Sequence, residues 1–412
     1  MRLAIDALPL LVRSAGVKNY LYYWIAHLAR CAPGPEGTPF SIELFPWLGR
    51  LRGSIPEDSD GSAGDLVAGM RTVGLAGDKI AGATTYASEP LGPLNHERSQ
   101  VGRLHTWFSL ALFHFFDLPG NPTLDWFTRA DVFHSTRLAN PPRRPRLTST
   151  LYDLTCWTMP ELHTPANVAA ERRRAQTVWK RADGLIAISA HTRDEAVRLL
   201  GLDARRIRVI PCGVDERFFA AGEAEAARVR AHYKLDRPYV LWVGAIEPRK
   251  NLDGALDAWA ALSDELRQEF TLVVAGPQGW ATQRTIARLR SQPAGVRYLG
   301  YVPEADLPGL TAGAAALFYP SLYEGFGLPV AQAMACGVPV ITANLSALPE
   351  VAGEGALYAD PRSLGELRAA LERLLLSPEL RAQLGAAGRE RAQRYRWEDV
   401  ARQSLEFFGS LE

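Results

Sequence analysis

Short apolar runs alternate with longer stretches of helical period along most of this chain, the pattern of strands buried on both faces and joined by covering helices. Residues 3–5 and 132–133 read as strands in the N-terminal half, and Tyr239–Val243 (YVLWV) opens a second strand–helix series that runs to about Ser377. Residues 378–411 are helical in period. Such alternation predicts an α/β protein built on parallel sheets. Two stretches interrupt it. Residues 49–96 are rich in Gly, Ser, Asp and Pro with little periodicity, which predicts a loop-rich insertion, and residues 220–237 form an Ala/Glu/Arg helical connector. A chain of 412 residues exceeds what one core usually organises. The expected division is therefore a first domain over 1–219, a linker over 220–237, a second domain over 238–395 and a last helix over 396–412.

The chemistry concentrates where strand patterns end. Residues 319–341 (YPSLYEGFGLPVAQAMACGVPVI) run from a Ser-Leu-Tyr-Glu approach through a Gly-Phe-Gly turn into a helix. Gly325 and Gly327 admit close backbone approach, Pro329 suits the first helical turn, and the helix N-terminus behind them carries partial positive charge, so the segment is laid out as an anion site. Glu324 repels a phosphate and suits hydroxyls attached to one; phosphate with hydroxyls points to a nucleotide sugar. A plain strand-to-helix turn with two convenient glycines would read the same way. A second strand exit, at Gly244, is followed by Arg249 and Lys250, two cations placed where an open α/β sheet binds its ligand and able to neutralise a diphosphate. Most such charge pairs are solvated turns.

Composition narrows the class. Lys and Arg number 46 against 45 Asp and Glu, a formal charge of +1 that argues against a nucleic-acid binder. Two arginine clusters stand out, Arg143, Arg144 and Arg146, and Arg172, Arg173 and Arg174; the minority reading for them is contact with an anionic membrane surface. The apolar residues 107–116 (WFSLALFHFF) are too few to cross a bilayer, but with Trp126 and Phe127 they suit the lip of an acceptor site or contact with a lipid-borne acceptor. Cys31, Cys156, Cys212 and Cys336 are far apart without metal or redox spacing, and residues 3–5 read as a strand and not as a secretory leader, so a reduced cytoplasm is expected.

Taken with residues 272–280 (LVVAGPQGW), 296–307 (VRYLGYVPEADL), 343–361 (ANLSALPEVAGEGALYADP), 3–11 (LAIDALPLL), 131–142 (DVFHSTRLANPP), 151–163 (LYDLTCWTMPELH), 181–192 (RADGLIAISAHT) and 209–218 (VIPCGVDERF), these segments resemble, in order, the retaining glycosyltransferases of family 4. The resemblance implies the GT-B architecture: two Rossmann-like domains facing across a cleft, acceptor domain first and donor domain second, with the C-terminal helix packing back on the N-terminal domain. It implies that Arg249 and Lys250 clamp the donor diphosphate, that Glu324 meets the sugar hydroxyls, and that Gly244, Val302, Gly325, Phe326, Gly327 and Leu328 line the donor. Two positions depart from the family. Its second Glu, which binds the nucleotide ribose, falls on Gln332, which keeps one carbonyl acceptor and loses the charge. Its His-Asp pair reads Tyr152-Asp153 here, leaving Asp153 in the catalytic set, with Tyr152, His134 and Gly16 as the residues beside sugar or acceptor. A lone His at a strand end is more often structural.

The implied activity is transfer of a hexose, mannose first and from GDP-mannose, with retention and with no metal; the nucleotide-diphosphate sugar is a co-substrate and no cofactor is expected. The acceptor is a glycan or a lipid-linked hydroxyl in cell-envelope or exopolysaccharide assembly, and the expected location is the cytoplasm or the inner face of the membrane. A sugar-nucleotide epimerase or hydrolase of the same fold, and a non-catalytic nucleotide-sugar binding protein, stay open beside it.

Overall fold

The computed structural model describes residues 1–7, 9, 16–31, 41–45, 49–51, 70–71, 114–118, 120–279, 282–291 and 293–411. Most of the 49–96 insertion, and residues 107–113 of the aromatic run, lie outside the described residues. The chain divides into two compact units: Met1–Ile188 with Thr192–Gly213 and Trp397–Glu412, and Val214–Arg396 with Ser189–His191.

The first unit is built on an eight-stranded sheet. Its strands are β1 (Arg2–Asp6), β2 (Ser41–Phe45), β3 (Gly49–Leu51), β4 (Met70–Arg71), β5 (Val132–Ser135), β6 (Arg146–Leu151), β7 (Gly184–Ala187) and β8 (Ile207–Val209), in the order β4-β3-β2-β1-β5-β6-β7-β8. From β2 through β8 neighbouring strands are parallel, with Ile5 opposite both Leu44 and His134; β3 and β4 are antiparallel additions at one edge. The helix Trp397–Gly409 buries Trp397, Val400, Ala401, Ser404, Leu405 and Phe408, an i, i+3, i+4, i+7 stripe, which faces the helix Gly16–Cys31. Trp24 of that helix donates its indole N–H to Ser404 Oγ at 2.9 Å. Trp397 itself covers Gly213, where a Cβ would lie 2.1 Å from the indole, so a side chain there would expel it. The last helix thus belongs to the unit that begins the chain.

The second unit has six parallel strands, β9 (Tyr239–Val243), β10 (Thr271–Ala275), β11 (Val296–Gly300), β12 (Ala316–Tyr319), β13 (Val340–Ala343) and β14 (Ala356–Ala359), in the order β11-β10-β9-β12-β13-β14. Chain order runs outward from β9 on one side and resumes from β12 on the other, so the winding reverses between these two strands. Crossover helices close both faces over a core that includes Trp242, Trp259, Leu272, Val274, Phe318 and Leu371. Residues 220–237 are part of this unit: the helix Glu223–His232 packs along Leu307–Ala312, and Arg228 and Tyr233 both bond Asp306, at 2.7 and 2.9 Å.

Candidate active site

In a doubly wound sheet, ligands bind outside the carboxyl ends of the strands where the winding reverses. Here that place is formed by the chain leaving β9 and the chain leaving β12. Gly244, the first residue past β9, has φ +146° and Gly276, past β10, has φ +150°. A Cβ on Gly276 would stand 1.8 Å from the Gly244 carbonyl oxygen, so the two exits cross backbone on backbone, which only glycine allows. Lys250 folds back over Gly244, its outer atoms 3.0–3.3 Å from where a Cβ would be. Between them Pro248–Lys250 makes one helical turn that stops at Asn251, held at φ +53°. The Asn251 amide donates to the carbonyls of Pro320 and Pro361 at 3.1 and 2.8 Å, and Leu322 N–H donates to the Arg249 carbonyl at 2.8 Å, which joins the two exits into one rigid floor.

On this floor lies a cluster of four charges. The Glu324 carboxylate, 8% exposed, accepts at Oε1 from the Tyr319 hydroxyl (2.7 Å), the Ser321 hydroxyl (3.0 Å) and Lys250 Nζ (3.3 Å), and at Oε2 it meets Arg249 at 2.8 Å. Arg249 also pairs with buried Glu247 at 2.6 Å and donates to the Tyr323 carbonyl at 2.6 Å. Lys250 donates in addition to the Tyr319 oxygen at 2.5 Å. Burial alone would raise the Glu324 pKa, but the Arg249 and Lys250 cations and the Tyr319 hydrogen bond prevail and hold it at about 2, so the carboxylate is charged at every ordinary pH. Burial drives the Tyr319 phenol far above its usual range, with the Glu324 charge adding to it; Tyr319 is a neutral donor. The cations are thus fixed in place and charge-balanced by Glu247 and Glu324.

The loop that follows ends in an anion-ready helix. Gly327 has φ +96° and admits no Cβ, which would come within 2.6 Å of Leu348; Leu328–Ala335 then turns away as helix with Pro329 in its first turn. Among the described residues no protein acceptor takes the N–H of Phe326, Gly327 or Leu328. The loop before them is pinned at three points: Glu324 N–H to Ser346 Oγ (3.0 Å), Ala347 N–H to the Glu324 carbonyl (3.3 Å) and the Ser189 hydroxyl to the Gly325 carbonyl (2.7 Å). Gln332 is half-buried on the same helix, one turn past Leu328, with its amide bonded to no protein group among the described residues. Val302 is buried just past β11, at the same carboxyl edge.

The structure therefore brings together Gly244, Arg249, Lys250, Glu324, Gly325, Phe326, Gly327 and Leu328. Val302 and Gln332 lie in the same unit, whereas Gly16, His134, Tyr152 and Asp153 lie in the first. His134 is fully buried in β5, its ring nitrogens bonded to the hydroxyls of Thr148 (3.0 Å) and Thr150 (3.1 Å) and its faces against Trp24 and Phe408. Burial, helped by Arg174, drives its pKa down to about 3. Both ring nitrogens are occupied by the core, and the expected place beside sugar or acceptor is not what this geometry offers. Tyr152 packs edge-on against Tyr20 with ring centroids 5.3 Å apart, and burial raises its phenol above the usual range. Asp153 spends Oδ1 on the N–H and hydroxyl of Thr155, opening the short helix Thr155–Thr158. Gly16 begins the helix Gly16–Cys31. Four residues of the second-unit cluster were not read from sequence as functional: Glu247, Tyr319, Asn251 and Gly276. Glu247 had a faint signal, a carboxylate two positions before Arg249; Tyr319 looks like the end of a core strand.

Residues 224–391 match the family described as Glycosyl transferases group 1, and residues 127–218 match Glycosyltransferase Family 4. The chain is 33% identical over 283 residues to O-antigen chain mannosyltransferase B of Escherichia coli, covering 68% of this chain and 74% of that protein. It is also 33% identical over 225 residues to MMP alpha-(1->4)-mannosyltransferase of Mycolicibacterium hassiacum, covering 54% of this chain and 52% of that protein. Among solved structures, sucrose-phosphate synthase from Thermosynechococcus elongatus aligns over 100% of this chain and 99% of its own with a TM-score of 0.68; at 20% identity that likeness shows the fold alone. The two sheets are those of the GT-B class of glycosyltransferases. The chain belongs to the family 4, group 1 glycosyl transferases. It is a glycosyltransferase, working between a nucleotide-sugar donor and a glycan acceptor. No helix among the described residues is long and apolar enough to cross a membrane.

Proposed function

We propose that this glycosyltransferase moves mannose from GDP-mannose to a hydroxyl of a growing cell-envelope or exopolysaccharide glycan, with retention of configuration and without a metal ion, as a cytoplasmic enzyme that works at the inner face of the membrane. The observation that carries the site is the juxtaposition of three N–H groups with no protein acceptor among the described residues, Phe326 to Leu328, and of Arg249 and Lys250 on the adjoining loop. The two relatives described above are both named mannosyltransferases, which supports the choice of sugar.

In this reading the donor diphosphate lies against the three N–H groups at the helix N-terminus. Lys250 has two of its three ammonium hydrogens engaged by Tyr319 and Glu324, and the third serves the phosphate. Glu324 Oε1 is saturated by three donors, whereas Oε2 meets Arg249 and keeps a lone pair for a sugar hydroxyl. Glu324 thus has two tasks, holding the cations and orienting the hexose. As the bond from the anomeric carbon to phosphate breaks, its electron pair passes to the leaving oxygen, where Arg249 and Lys250 stabilise the new charge. That oxygen takes the proton of the incoming hydroxyl while the hydroxyl oxygen bonds the anomeric carbon from the same face, which retains configuration. Gln332, a turn further along the helix, then accepts from a ribose hydroxyl through its carbonyl oxygen, more weakly than a carboxylate would.

The test is a thermal-shift screen over common nucleotide sugars with the purified chain, followed by turnover and product configuration with the donor that binds. GDP-mannose should give the largest rise in melting temperature, since a ligand of the folded state alone stabilises it. Arg249→Ala and Lys250→Ala should each lower turnover on the order of a hundredfold. A larger shift with a UDP-sugar would overturn the donor, an inverted product the mechanism, and near-normal kinetics in both variants the site.

A further inference from the structure

The first unit carries a surface that the donor chemistry does not use. Three of the seven large hydrophobic side chains standing open to solvent among the described residues are here: Phe115 at 49%, Leu118 at 53% and Trp126 at 68% exposure. Their neighbours in sequence show that this is a built surface. Phe116 points inward, edge-on to Phe45 at 5.7 Å, and Leu124 is buried, so in each segment one apolar side chain anchors the backbone while another faces out. Asn140 fastens this stretch, its amide donating to the carbonyls of Leu118 and Asn121, both at 3.0 Å. The Asn121 amide donates to the Phe115 carbonyl at 2.8 Å. The outward apolar groups are therefore held in position by hydrogen-bonded backbone.

Charge on this surface has one dominant sign. Asp125 turns inward and accepts the backbone N–H groups of Arg143 and Arg144 at 2.5 and 3.1 Å, which sets these two arginines beside the Trp126 helix with their side chains exposed. Asp117 likewise accepts from Ala139 and Asn140 N–H, at 2.7 and 2.8 Å. Arg173, exposed on the helix Pro165–Arg174, reaches the Asp117 carbonyl at 3.0 Å, beside Phe115 and Leu118. Neither Arg143 nor Arg144 has a carboxylate partner for its guanidinium among the described residues. Arg173 also meets the Asp117 carboxylate at 3.9 Å, so the free positive charge of the rim comes from Arg143 and Arg144. Outward aromatic and leucine side chains beside such arginines match the chemistry of an interface with apolar depth beneath an anionic layer.

We propose that Phe115, Leu118 and Trp126, rimmed by Arg143, Arg144 and Arg173, form the face by which the first unit docks on a bilayer containing anionic lipid. The proposal deepens the reading of an enzyme that works at a membrane, and names the surface responsible. The apolar groups enter the headgroup region, and the arginines remain at the level of the lipid phosphates.

The experiment is co-sedimentation of the full chain with vesicles of phosphatidylcholine alone and of phosphatidylcholine mixed with phosphatidylglycerol, at low and high salt. Binding should require the anionic lipid and weaken with salt. Each arginine near such a surface contributes about fivefold to partitioning, so Arg143→Gln with Arg144→Gln should reduce it roughly 25-fold. Trp126→Ser should weaken binding, and Trp126→Phe should restore most of it. Equal binding to neutral and mixed vesicles, or unchanged binding in the arginine variant, would overturn the proposal. So would a concentration-dependent dimer that Trp126→Ser disperses, with no vesicle binding, because the face would then belong to a second copy of the chain. The thermal shift with nucleotide sugars is read on the same samples: its absence from the parent protein would count against the donor assignment and leave the vesicle result to stand or fall alone, and its retention in the variants shows that they are folded.

Discussion

Glu324 is a carboxylate that burial should neutralise and that two cations keep ionised. Folded-state pKa near 2 against 4.5 for an ordinary Glu means that, as pH falls, the unfolded chain takes up this proton first. The stabilisation is complete above about pH 4.5 and is lost as pH falls towards 2. Glu324→Gln removes the charge that Arg249 and Lys250 face, and breaking a buried pair from one side costs on the order of 3 kcal/mol. The variant should melt lower than the parent at neutral pH, and the gap should close as pH falls below 4.5, followed by calorimetry across that range. Parallel curves for the two proteins would show that the four charges do not act as a cluster. At this scale the sequence was informative about identity and silent about pairing. Glu324, Arg249 and Lys250 stand out as chemistry at strand exits, but Lys250 and Glu324 are 74 positions apart, and no local pattern reveals that Glu247 and Glu324 balance the cations.

The loops work because the elements carrying them are locked at their exits. Gly276 is the tightest point: φ of +150° is strained for any residue with a Cβ, and that Cβ would overlap the Gly244 carbonyl at 1.8 Å. Gly276→Ala must push β9 and β10 apart at the end that holds Arg249 and Lys250. A loss of about 3 kcal/mol or more is expected, seen as a fall in melting temperature, with weaker donor-induced stabilisation in whatever protein folds. A normally stable variant with full donor response would show that the exits do not need to touch. The strands at residues 3–5, 132–133 and 239–243 were legible because parallel strands are continuous apolar runs, whereas β2 (SIELF) and β6 (RLTSTL) carry polar residues within the strand and gave no such run. The reading of His134 illustrates where such patterns stop. Periodicity puts it at a strand end but cannot say that Trp24 and Phe408, far away in sequence, close over its ring while two threonine hydroxyls occupy its nitrogens. Tyr152 against Tyr20 is the same case, a contact between a strand exit and a helix face that only the fold brings together.

At the scale of the molecule, the formal charge of +1 conceals an uneven division of labour. Among the described residues, the first unit leaves Arg143 and Arg144 without carboxylate partners, whereas the second pairs its candidate cations with Glu247 and Glu324. A balanced cluster has little field at long range, so it will not steer a donor from solution. Its value is at contact, where fixed N–H groups, a guanidinium and an ammonium need no reorganisation when charge develops on the leaving phosphate. The helix behind Gly327 adds about half a positive charge at its N-terminus. In the proposed reading these groups take the role that a divalent ion fills in other phosphate-cleaving sites. Transfer should therefore survive treatment with EDTA, with single-turnover rates unchanged and at most a slower release of the nucleotide product. A single-turnover rate that collapses on chelation and returns with magnesium or manganese would mean that Arg249, Lys250 and the Phe326–Leu328 N–H groups are insufficient for the leaving diphosphate, and that an ion completes the site.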